Sequence, residues 1–177
     1  MPDLRFTITG AEARPGHVTF AFTATNGDGE PVHSLSLRVQ ISIRAHQRRY
    51  AASEALRLGD LFGEPARWDR TLGPVAWTEA ACNVGPFRGE ATGQLHAPVE
   101  PGSAVTKYFA ALVCGAAPLL LLFRGTVFYQ DPAGLRVAPL PWDREAGFHL
   151  PVAVLHALAL PSSLPSNPVA PCDAHGL

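Results

Sequence analysis

Residues 118–129 read PLLLLFRGTVFY, and the reading of this stretch decides the fold. Five consecutive apolar residues, Leu119 to Phe123, run into the β-branched and aromatic positions Thr126, Val127, Phe128 and Tyr129. An unbroken apolar run of this length fits a strand covered on both faces, and a buried helix is the rival. Gly125 inside the run and the closing Asp131-Pro132-Ala133-Gly134 favour a strand followed by a turn. The wider segment from Lys107 to Val154 is the densest apolar and aromatic part of the chain, so the rest is expected to pack around it.

Working outward, strict alternation marks several further strands. Leu4, Phe6 and Ile8 alternate with Arg5, Thr7 and Thr9, and Val18, Phe20, Phe22 and Ala24 alternate with threonines. Each set predicts a half-buried strand, and Pro15-Gly16 between them predicts a hairpin turn. Asn26 to Pro31 is a second turn; the alternating Asn26, Asp28 and Glu30 lack the further ligands and flanking helices of a calcium loop. The longest alternation, SLSLRVQISIRA, puts Leu35, Leu37, Val39, Ile41, Ile43 and Ala45 on one face and polar residues on the other.

Beyond that strand the pattern loosens. Ser53 to Leu56 predicts a short helix inside a structured loop broken by glycine and proline and anchored by Trp68 and Trp77. One or two short strands are expected between Trp77 and Pro101, and Ser103 can cap a brief helix over Ala104 to Val113. Leu135 to Pro139 and Phe148 to Val152 read as extended segments near an edge, with Pro141-Trp142-Asp143 as a turn. The expected architecture is mainly β: an antiparallel β-sandwich with one or two short helices, a single domain over 1–160 and a loosely attached tail over 161–177.

Composition bounds the function. The chain has 177 residues, enough for one domain to build a core without metal or disulfide staples. Charged residues make up 16% and the formal net charge is −1, which argues against a nucleic-acid partner. Lys107 is the only lysine. No targeting segment opens the sequence and no apolar run approaches the ~20 residues of a membrane span, so a cytoplasmic location is expected. Cys82, Cys114 and Cys172 are widely spaced and read as reduced thiols.

Catalytic signatures are missing. There is no G-x-S-x-G, P-loop, dinucleotide fingerprint, H-E-x-x-H or C-x-x-C, and no cofactor is implied. Among seven histidines, His96 and His149 could meet on adjacent strands, as ligands or as a base with Asp143 or Glu145. Cys172 and His175 have ligand chemistry but do not complete a tetrahedral site. Two clusters suit a protein partner. Arg44, His46, Arg48 and Arg49 end the long strand and could receive an acidic group or phosphate; the same charges could instead guard a strand edge. Trp142, Asp143 and Arg144 form an aromatic and charged turn, which is a contact if the indole is exposed and an anchor if it is buried.

The strings LRVQISIRAHQRRY, LGDLFGEPARW, KYFAAL, PLLLLFRGTVFY and LPWDREAGFHLPVAV together resemble an uncharacterised, mainly actinobacterial family whose members accompany nickel–iron uptake hydrogenase operons. The likeness runs from Leu4 to Val154, after which this chain departs from the family's helical, tryptophan-containing C-terminus. The resemblance supplies no catalytic residues. With no catalytic motif, the expected function is a non-catalytic binding or assembly protein, and the resemblance implies a hydrogenase subunit or maturation factor as its partner. The alternative is a small metal-binding or hydrolytic enzyme with a histidine and carboxylate site that no motif reveals.

Overall fold

The structure, a computed structural model, describes residues 1–159. The N-terminal alternations form β1 (Leu4–Arg14) and β2 (His17–Asn26), joined at Pro15-Gly16 with Gly16 at φ +77°. The long alternation forms β3 (Val32–Ile43). Next comes a crossover of short helices, α1 (Ala52–Arg57), α2 (Gly59–Phe62) and α3 (Trp68–Thr71). Strands β4 (Val75–Val84) and β5 (Glu90–Pro98) are followed by α4 (Ala104–Ala111), whose Ser103 hydroxyl accepts from the Thr106 amide at 3.2 Å as expected of an N-cap. The chain continues through β6 (Ala116–Asp131), β7 (Gly134–Pro139), β8 (Glu145–Pro151) and α5 (Val152–Ala159).

These strands make two antiparallel sheets, one ordered β1-β2-β5 and the other β4-β3-β6-β7, with β8 also paired to β6. The mainly β, antiparallel class is as the sequence predicts, with more short helices than the one or two expected. The two inner faces meet in an aromatic core. Phe6 stacks on Phe123 with ring centroids 4.2 Å apart, Phe22 meets Phe123 edge-on at 5.6 Å, and Phe20 meets Phe148 at 6.1 Å. Leu37, Val39, Ile41 and Ile43 are all buried. β3 lies between β4 and β6, so the arginines after it mark a strand end and not a sheet edge.

β6 departs from expectation. Its inward residues Leu119, Leu121, Phe123 and Val127 are buried, but the alternate residues Leu120 and Leu122 point away from the core and are only partly covered. The run of five apolar residues therefore belongs to a strand with one packed face, not two. Midway along it, Gly125 has φ +148°, and a Cβ built there would lie 1.9 Å from the Ser36 carbonyl oxygen, so only glycine lets β3 approach. The segment after Leu150 also differs: Val152 to Ala159 is helical, with Val152 and Leu155 buried, because apolar residues three apart share one helix face.

The helical crossover is pinned to the start of β6 by a buried ion pair. Arg48 Nη2 donates to Glu54 Oε2 at 2.5 Å; Glu54 also accepts from the Ala51 and Val113 amides, and Arg48 Nη1 donates to the carbonyls of Cys114 and Ala116 at 3.0 Å. Nearby, the Tyr50 hydroxyl donates to the Ala45 carbonyl at 2.6 Å and lies 2.7 Å from the Tyr108 hydroxyl, which therefore donates to it. Burial pushes both phenols above their ordinary range. Cys82 is a free, half-buried thiol raised by burial, whereas Cys114 is in a disulfide, which corrects the expectation of three reduced thiols.

Candidate functional site

β6 offers one edge to β3 along its length. Its other edge is shared: β8 pairs with residues 116–122 and β7 with residues 126–131. The gap opposite Phe123 to Gly125 is bridged by Leu140 to Arg144. The Leu140 amide donates to the Gly125 carbonyl at 2.9 Å and the Arg144 carbonyl accepts from the Phe123 amide at 2.7 Å. With the β6 backbone satisfied on both sides of the gap, Pro141, Trp142 and Asp143 need not pair with it. Proline has no N–H to offer a ladder, so the excursion falls where the sequence places Pro139 and Pro141.

This excursion walls a groove of about 690 Å³ on the outer face of the sheet. Leu120 and Leu122 form its floor, and Gly125, Pro139 and Leu140 border the gap. Trp142 stands over it, 85% exposed. The charged residues are Arg44 and Arg124 with Asp143 and Glu145. Neither Arg44 nor Arg124 makes a side-chain hydrogen bond or ion pair among the described residues, and Arg44 Nε is buried without a partner. In register with Leu120 stands Gly147, where an added Cβ would meet nothing nearer than the Leu119 carbonyl oxygen at 4.0 Å. The missing side chain leaves the leucine floor open from that direction.

The residues singled out from sequence divide. Arg44, Trp142 and Asp143, from strand ends distant in sequence, line one groove. Trp142 is exposed, so the indole is not the buried anchor of its turn. Arg144 is held inside the fold, with Nη2 3.0 Å from Asp3 Oδ1 and Nη1 3.9 Å from Asp143. Arg48 is enclosed by its pairing with Glu54. His46 and Arg49 are exposed beside it, and the Arg49 carbonyl accepts from Arg48 Nε. Glu145, a candidate partner for a histidine base, lies in this groove instead, and Leu120, Leu122 and Arg124 join it without any site reading from sequence. The signal that finds them is the outward half of the apolar run in a sheet with one packed face.

The histidine readings change partners. His96 is on β5 and His149 on β8, in different sheets, so the two are not neighbours across a ladder. His96 instead meets His17 edge-on, ring centroids 5.7 Å apart, with its Nδ1 3.1 Å from the Thr19 hydroxyl. No group of three or more His, Cys, Asp or Glu among the described residues could hold a metal ion. The Cys172 and His175 pair lies outside those residues. No helix among them is long and apolar enough to cross a membrane.

Residues 1–165 match the model of a family of unknown function, DUF6084. The chain belongs to that family. The match passes Val154, so the departure read at that point in the sequence does not remove the chain from the DUF6084 pattern, and α5 is part of the matched region. No curated relative matches in sequence. Among solved structures, this DUF6084 protein is similar to the CARDB domain of a Pyrococcus furiosus protein in complex with di-metal ions, at 14% identity over 85% of this chain and 92% of that one, TM-score 0.33. It is also similar to a putative late embryogenesis abundant protein, at 11% identity over 85% and 73%, TM-score 0.32. A beta-glucosidase from Kluyveromyces marxianus in complex with glucose matches at 9% identity over 84% of this chain and 15% of that one, TM-score 0.34.

Proposed function

We propose that this DUF6084 protein is a non-catalytic binding or assembly protein that works by protein contact through the outer face of the β4-β3-β6 sheet, centred on Trp142. The observation that carries this reading is the pairing of an 85% exposed tryptophan with a groove floored by two outward leucines. Isolated surface apolar residues need no explanation, but here they adjoin. Phe128 and Thr126 continue the outward row of β6 beside Val137 and Pro139 of β7, and Leu135 and Val137 are more than half exposed. Tryptophan is enriched among residues that dominate binding energies, because its large rigid ring buries much apolar area on contact. The resemblance to proteins accompanying nickel–iron hydrogenases suggests a hydrogenase subunit or maturation factor as the partner.

The test is comparative capture. Immobilised wild-type and Trp142→Ala proteins are exposed to native extract of the source cells, and captured partners are identified and titrated. Trp142→Ala should fold with an unchanged melting temperature and weaken capture by about 2 kcal/mol or more, the usual loss at a hot spot. Equal capture by both proteins would remove this face from consideration.

A further inference from the structure

The unpaired charge in the groove says what kind of segment fits it. Arg44 follows β3, with its amide donating to the Pro118 carbonyl at 2.8 Å, and its side chain lines the groove with Leu120. Its Nε is buried without an acceptor. The Arg44 guanidinium makes no hydrogen bond or ion pair among the described residues, and a carboxylate entering the groove is the acceptor whose two oxygens match its fork. The groove's own carboxylates do not fill this role. Asp143 lies 3.9 Å from Arg144, and Glu145, in register with Leu122, makes no ion pair among the described residues. Arg124, likewise without a partner among the described residues, brings a second guanidinium to the same groove.

We infer that the groove takes a segment of a protein partner by an aspartate or glutamate carboxylate bound at Arg44, with an adjacent large apolar side chain seated on Leu120 and Leu122 beneath Trp142. This rests on the contact-face reading above and adds the chemistry of the partner. Arg44 supplies recognition of the acid, the leucine floor and indole take the apolar side chain, and the absence of a side chain at Gly147 keeps the entrance clear.

A displayed library of random dodecapeptides, selected on the wild-type protein, tests it. Enriched sequences should carry an acidic residue beside a large apolar one. Resynthesised peptides should bind, by calorimetry, about tenfold or more tightly than twins in which Asp is replaced by Asn, the scale expected of a charge-assisted contact. Arg44→Gln should bind the two twins equally, Arg44→Lys should restore part of the preference, and Gly147→Leu should abolish binding of both. The Gly147 backbone is ordinary and the space beside it open, so that variant folds. Selection without acidic residues, equal binding of the twins to wild type, or a preference that survives Arg44→Gln would overturn the inference. Peptides that bind regardless of the acid yet are lost in Trp142→Ala would leave the contact face standing without it, and binding indifferent to both Trp142→Ala and Gly147→Leu would remove both.

Discussion

Arg44 carries a stability signature that separates a binding residue from a structural one. Among the described residues its side chain makes no hydrogen bond and its buried Nε has no acceptor, so replacing it by methionine deletes an unsatisfied donor while keeping the aliphatic length. Arg44→Met is therefore expected to melt at the wild-type temperature or above it, in a thermal scan at neutral pH. A clear loss of stability would show that the guanidinium is structural. Gly125 stands at the opposite extreme. Any side chain there meets the Ser36 carbonyl at 1.9 Å in a backbone conformation that L-residues rarely adopt, so Gly125→Ala should separate β3 from β6 and abolish soluble expression. Ile41→Asp should do the same, because an unpaired carboxylate in a fully buried position costs several kcal/mol against a stability of ~5–15 kcal/mol.

Among the elements, the crossover between β3 and β4 depends on polar contacts more than on area, since α1, α2 and α3 have only four to six residues each. Arg48 and Glu54 tie it to the start of β6. Glu54→Ala leaves a buried guanidinium uncompensated and is expected to cost about 3–5 kcal/mol in denaturant titration, whereas the same change at the exposed Glu12 should be nearly silent. Tyr50 and Tyr108 add a pH dependence. Both phenols are raised by burial, so above the unfolded-state value of ~10 the unfolded chain loses protons that the folded chain keeps. Stability should be fully present below pH ~10 and fall as pH rises beyond it. Urea melts from pH 8 to 11 should show the decline, and a Tyr50→Phe, Tyr108→Phe protein should show much less of it.

For the whole molecule, the two sheets follow from period-two alternation, which identifies β1, β2 and β3 with their inward faces. Beyond the β1–β2 hairpin, what the sequence conceals is which strand lies beside which. Continuous apolarity in β6 is equally the mark of a strand buried on both faces and of one whose outer face awaits something else, and only the layer count separates them. Trp142 is concealed for a similar reason: a turn residue's exposure depends on the gap between β7 and β8, which no local pattern encodes. Arg48 and Arg44 look alike in one basic run, yet one meets Glu54 and the other lines the groove, a difference set by the 3-10 turn Ala45–Gln47 between them and by a helix later in the chain.

The pairing of β3 with β6 also sets a schedule for synthesis. At ~5–20 residues per second, roughly 4–15 s separate the emergence of Ile43 from that of Ala116 at the ribosome. Until Pro98 emerges Leu37, Val39, Ile41 and Ile43 have no complete facing sheet, and throughout the interval the margin of β3 that β6 takes has no ladder. A nascent chain arrested before residue 116 should therefore recruit ribosome-associated chaperones and aggregate on release, while one extended beyond Pro151 should resist protease. Slow codons placed before β6 would lengthen the vulnerable period and lower the soluble yield without changing a single residue.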